Sequence, residues 1–136
     1  MSFFDHLKDF NLSNKKKLNK VENGILSVLE FRRLVEHERE RADRNQHQFS
    51  LVLFALESFE TDVPITRHII GTISRRVRNV DALGWYDEKR LGIMLPYTST
   101  EGATRLIENL LDALDTGIPK PVCDIFTYPA KEIANN

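Results

Sequence analysis

Arg78 and Asp81 stand three positions apart in the string RNVD, and Arg75 precedes Arg78 by the same spacing. An arginine offers a planar fork of N–H donors that suits anionic acceptors, and an aspartate can accept N–H groups in return. Such a pair either holds a ligand or closes on itself at the surface, where an ion pair contributes little to stability. Residue chemistry by itself leaves both readings open for Arg78 and Asp81, with Arg75 adding charge from one helical turn earlier. A second charged string, Asp87, Glu88, Lys89 and Arg90, follows closely; it reads as the solvated tip of a turn rather than as an acid–base couple. The four histidines, His6, His37, His47 and His68, have no catalytic or metal-ligand spacing, and solvated positions are expected for each. Cys123 is the single cysteine, so no internal disulfide or zinc site is indicated. These residues assign no catalytic group, metal or cofactor.

Composition limits the function classes. A chain of 136 residues suits one domain, and a 41% hydrophobic content supplies one core without disulfides or a structural metal. The formal net charge of −1 provides no overall basic field to draw in nucleic acid. No apolar run approaches the roughly 18 residues that span a bilayer. Charges interrupt the N-terminus every few residues, so it lacks the apolar centre of a signal peptide. With a lone cysteine, these features predict a cytoplasmic protein in a reducing compartment.

The elements that must position the candidate residues can be read from periodicity. Residues 1–23 read as an N-terminal segment and linker: Phe3, Phe4, Leu7 and Phe10 have helical spacing, and the polar, basic residues 11–20 follow. A domain is expected over 24–129, with a short tail over 130–136. Ile25, Val28, Leu29, Phe31 and Val35 predict one side of a helix over 25–44. Residues 49–56 are apolar and short enough for a buried strand. Pro64 suits the first turn of a helix whose stripe is Ile65, Ile69, Ile70, Ile73 and Val77, with Arg75, Arg76 and Arg78 near its C-terminal end. Strands near 82–86 and 91–95 flank the charged tip, and Pro96 ends the second. Thr98 or Ser99 can cap a helix carrying Leu106, Ile107, Leu110, Leu111 and Leu114, which Gly117 and Pro119 stop. Residues 122–128 supply a last strand. The order, a helix and then β-α-β-β-α-β, predicts an α/β (α+β) fold: a ferredoxin-like sandwich with a mostly antiparallel sheet and its helices on one face.

Several strings in this order resemble the GGDEF, or diguanylate cyclase, family of bacterial signalling domains. Residues 24–33 (GILSVLEFRR) are similar to its opening motif D-x-L-T-x-L-x-N-R-R. Residues 49–59 (FSLVLFALESF) are similar to its first strand, which usually ends D-I-D-x-F. RNVD at 78–81 matches R-x-x-D at the family's spacing before the signature loop. Leu95 and Pro96 match the L-P after it, and IFTYP at 125–129 matches a later strand ending in Y-P. The resemblance spans 24–129.

Active members of that family join two GTP molecules into cyclic di-GMP across a dimer, using divalent metal ions held by carboxylates of the first strand and the signature hairpin. Here the first metal-binding aspartate falls on Ala55, and the second acidic position is Glu57. The signature aligns with Asp87–Leu91, placing Asp87 and Glu88 where glycines let backbone approach phosphate, and Lys89 and Arg90 where carboxylates are needed. The family's N-D and G-D elements, which help recognise guanine, have no counterpart before Ile65. The R-x-x-D string is in that family an inhibitory site for cyclic di-GMP. The resemblance thus implies a catalytically inactive regulatory domain that receives cyclic di-GMP through Arg78, Asp81 and Arg75. The alternative is a ligand-free interaction or dimerisation module, a homodimer or a complex with another protein, using residues 3–10 and the charged helix ending near Arg44.

Overall fold

The first strand, β1 (Phe49–Ala55), carries apolar residues on both faces and becomes one of the two interior strands of the sheet. A computed structural model describes residues 24–56 and 63–130; the expectations for residues 1–23, for Glu57 and for the tail lie outside them. The elements in chain order are α1 (Val28–Asn45), β1, α2 (Pro64–Arg76), β2 (Ala82–Trp85), β3 (Arg90–Pro96), α3 (Thr100–Ala113) and β4 (Cys123–Tyr128). The four strands lie in the order β2-β3-β1-β4, and every neighbouring pair is antiparallel. This is the β-α-β-β-α-β sandwich expected from the sequence.

The helices do not share one face. Val52 and Phe54 of β1 pack with Ile69, Ile70 and Ile73 of α2 and with Ile107 and Leu110 of α3. Phe49, Leu51 and Leu53 point the other way, onto Phe31, Val35 and Ala42 of α1. Strand residues alternate between faces, so a strand with apolar residues on both faces needs a cover on each side. The single-face expectation holds for the crossover helices and fails for α1, which covers the second face.

Helix α1 starts later than periodicity suggests. Ser27 caps it, its Oγ accepting from Glu30 N at 3.2 Å, so Ile25 and Leu26 stay extended. Leu26 N donates to Leu83 O at 2.9 Å and Trp85 N to Leu26 O at 3.0 Å, which pairs this segment with the outer edge of β2. Farther along α1, Phe31 lies across Gly84 and Gly92, which are cross-strand partners. A Cβ at either glycine would come within 2.5–2.7 Å of Phe31. The missing side chains are thus what lets α1 sit close enough to the sheet to bury this ring fully.

Candidate ligand-binding site

The turn between α2 and β2 closes on the Asp81 carboxylate. Asp81 Oδ2 accepts from Arg78 N at 2.8 Å, and Asp81 N donates to Arg78 O at 3.0 Å. Arg78 Nε reaches Oδ1 at 3.2 Å and Nη2 reaches Oδ1 at 2.8 Å. Nη2 also donates to Pro96 O at 3.1 Å and Thr98 Oγ1 at 3.0 Å. The two side chains differ sharply in exposure, 55% for Arg78 and 2% for Asp81. Asp81 therefore lies behind Arg78 with both oxygens engaged, and it holds the guanidinium rather than offering itself to a ligand. Arg78 keeps an exposed planar face, and its Nη1 carries no hydrogen bond among the described residues.

The loop that receives Arg78 is itself anchored. Thr98 Oγ1 donates to Pro96 O at 2.9 Å. The buried Ser50 Oγ of β1 donates to Thr98 O at 2.8 Å and lies 2.9 Å from Thr127 Oγ1 of β4, which also meets Thr100 Oγ1 at 2.7 Å. A chain of hydroxyls thus ties the loop to two strands. Around Arg78 opens a cavity of about 460 Å³, lined also by Arg76, Arg105, Tyr97 and Asn109. The capped N-terminus of α3 borders it through Ser99 and Gly102, whose N donates to Ser99 Oγ at 3.1 Å. Three guanidinium groups beside a helix N-terminus favour an anion. Among the described residues, Asp81 is the only one with a carboxylate on the lining.

Of the expected site residues, Arg78 and Asp81 come together, while Arg75 stands apart along its own helix. Its Nη2 lies 3.5 Å from Thr72 Oγ1. Arg76 takes its place at the cavity. The basic end of α2 signalled Arg76, but sequence spacing carried no sign of Arg105, which arrives only because α3 packs beside α2. His47 is a correction to the solvated reading of the histidines. Gln46 adopts φ 58° and ends α1, folding His47 back to a side-chain exposure of 8% with Nε2 2.8 Å from Glu38 Oε2. Glu38 is also held by Arg41 Nη1 at 2.9 Å.

The β2–β3 turn is built around Asp87. Its Oδ1 accepts from Lys89 N at 2.9 Å and Arg90 N at 2.8 Å, and its Oδ2 from Arg90 Nε at 2.7 Å. The Arg32 and Arg90 guanidinium groups lie 4.0 and 4.8 Å from the Tyr86 ring centre, and Arg32 Nε donates to Tyr86 O at 3.0 Å. Burial lowers the pKa of Arg32 and raises that of Tyr86. Cross-strand pairing sets Ala55 directly opposite Arg90, and Leu56 N donates to Lys89 O at 2.7 Å.

No family model matches the sequence, and no curated protein matches it. Solved structures do. A diguanylate cyclase protein of Thermotoga maritima matches with a TM-score of 0.63 and 17% identity, over 82% of this chain and 85% of that one. The diguanylate cyclase SiaD of Pseudomonas aeruginosa, in complex with its activator SiaC, matches at 0.60 and 16% identity, over 90% of this chain and 54% of that one. The GGDEF domain of DgcB from Caulobacter crescentus, in complex with c-di-GMP, matches at 0.59 and 8% identity, over 79% and 78%. The chain has the GGDEF fold. At these identities the likeness is one of architecture.

The end of β1 and the β2–β3 hairpin are neighbours, as the Ala55–Arg90 register requires. The described side chains there do not fit a divalent cation. The Ala55 side chain has no donor atom, Arg90 is a cation, and the Asp87 oxygens already serve the turn and Arg90. Beside Ala55 lies a cavity of about 480 Å³ with a largely apolar lining, including Leu56, Val63, Ile65 and Val122. No helix of the described residues is long and apolar enough to cross a membrane.

Proposed function

We propose that the chain is a non-catalytic GGDEF-like regulatory domain that receives cyclic di-GMP at the arginine cavity around Arg78. The observation that carries the reading is the Arg78 guanidinium, fixed from behind by Asp81 and presented beside Arg76 and Arg105. Cyclic di-GMP offers two phosphodiesters and two guanine faces, both of which arginine recognises. The presence of c-di-GMP in the DgcB complex, whose fold this chain shares, supports the choice of ligand. Ala55 opposite Arg90 supports the absence of catalysis, since phosphate chemistry there would need cations that neither residue can bind.

Isothermal titration calorimetry tests the reading. Cyclic di-GMP binds the wild type, and Arg78→Ala weakens binding at least tenfold, the loss expected when a charge-assisted contact of about 1.5–3 kcal/mol is removed. A wild type that takes up no cyclic di-GMP overturns the receptor reading. Incubation with GTP and magnesium yields no cyclic di-GMP, and product from well-folded protein would overturn the non-catalytic reading.

A second reading, a protein-interaction module, draws on the apolar cavity beside Ala55, where Ile65 and Val122 are 46% and 70% exposed. Light scattering on the whole chain and on a form lacking residues 1–20 distinguishes self-association through the N-terminal segment from a monomer.

A further inference from the structure

Tyr97 is a large aromatic residue with no evident reason to be where it is. It follows Pro96 at the end of β3, it is 63% exposed, and its φ is 55°. A bulky side chain seldom occupies the left-handed region, and such strain persists only where the surroundings over-determine it. They do so here from both sides. Pro96 O accepts from Thr98 Oγ1 and Arg78 Nη2, and Thr98 O accepts from the buried Ser50. The ring is backed as well. It stacks on His47 with centroids 4.1 Å apart and planes inclined by 27°. His47 is held by Glu38, which is 3% exposed and is held in turn by Arg41. The result is an aromatic ring backed by His47 on one face and 63% exposed, in a residue that lines the three-arginine cavity.

We propose that Tyr97 is a base-stacking platform, so that the cavity takes a nucleotide rather than a bare anion. This rests on the ligand reading of the preceding subsection and names the group that meets the base. Arginines alone suffice for an inorganic phosphate. An aromatic plane beside them adds what a nucleobase can use, a π-face for stacking, while a guanidinium plane can cover the base from another side. Held in place before binding, the ring loses little freedom on contact. In this arrangement Asn109 contributes an amide to the lining, and Asp81 remains a positioning residue for Arg78.

The test uses the whole chain, cyclic di-GMP, and the variants Tyr97→Gly and Tyr97→Phe. Glycine accepts φ 55° without strain, so Tyr97→Gly keeps the backbone while removing the ring; thermal melting confirms folding. Wild type and Tyr97→Phe bind alike and move the guanine H8 resonance of the ligand upfield, the mark of a ring stacked on the base. Tyr97→Gly binds roughly 5- to 100-fold more weakly, the range for one lost base–aromatic stack, and the H8 shift disappears. If the wild type binds without an upfield H8 shift, or if Tyr97→Gly binds as the wild type does, the platform is overturned while the receptor reading stands. If the wild type does not bind at all, the receptor reading and the platform both fall.

Discussion

Arg78 and Asp81 share one ion pair but play unequal parts. Asp81 is the buried partner, taking the backbone N of Arg78 and two guanidinium nitrogens, whereas Arg78 keeps more than half its side-chain surface in solvent. Replacing Asp81 with alanine should therefore act on both fold and ligand: about 1–3 kcal/mol of stability is lost in urea denaturation as the turn's charge-assisted hydrogen bonds go unmade, and cyclic di-GMP affinity falls because Arg78 is no longer held. Arg78→Ala should lower affinity with a smaller change in the denaturation midpoint, since its exposed part carries little stability. Cys123 makes a separate prediction at this scale. Burial, reinforced by Asp124, pushes its thiol up to about 11 from 9.0. The thiol form is thus favoured by the fold: the associated stability is complete below about pH 9, the unfolded value, and is lost as pH rises through about 11. Alkylation by iodoacetamide at pH 8 should be slower in folded than in urea-unfolded protein, and Cys123→Ala should flatten the loss of stability at high pH.

At the scale of elements, the contact between α1 and the hairpin strands is the least forgiving. Gly84 and Gly92 form a floor on which Phe31 lies, and an added Cβ at either position would overlap the ring. Gly92→Ala should destabilise the domain by about 1–3 kcal/mol, the cost of overpacking a filled core, as read from the chemical denaturation midpoint. A Phe31→Leu, Gly92→Ala double variant should recover part of that loss, because the smaller side chain vacates the space. The same element buries charge. Residues 36–44 are almost wholly charged, yet Glu38 and Ala42 are buried there. Glu38 is tolerated inside because Arg41 and His47 both reach it. His47 comes from beyond the helix, so no periodicity within the helix could have announced the arrangement.

The described residues form a sheet with a core on each face, and the arginine cavity and the Ala55–Arg90 pair sit at opposite ends of the β1–β3 strand pair. The end bearing Pro96 carries the arginine cavity, and the other pairs Ala55 with Arg90. Changes at one end should leave the other intact. Ala55→Asp should not yield cyclic di-GMP from GTP and magnesium, because Arg90 and the occupied Asp87 remain across the strand pair; the new carboxylate would instead face Arg90. The same variant should bind cyclic di-GMP at the arginine cavity as the wild type does, measured by calorimetry. A loss there would show that the two ends are coupled.

The sequence by itself determined the element order, the buried strand β1, a serine cap for α3 and the identity of the Arg78–Asp81 pair. All depend on neighbours in the chain: residue period, a serine before a helix, an arginine three residues from an aspartate. It also marked Ala55 and Arg90 as poor metal ligands, because side-chain chemistry needs no coordinates. The tertiary structure alone decided three things. It placed α1 on the second face, since a strand apolar on both sides says that it needs two covers and not which helix supplies each. It assigned Asp81 to hold Arg78, since burial separates a positioning carboxylate from one that meets a ligand. It gathered Arg76, Arg105 and Tyr97 around Arg78, residues whose elements meet only when α3 packs beside α2 and the end of β3 turns through a left-handed backbone. The Arg78–Asp81 pair read from the sequence is one corner of that site, and packing between distant segments supplied the others.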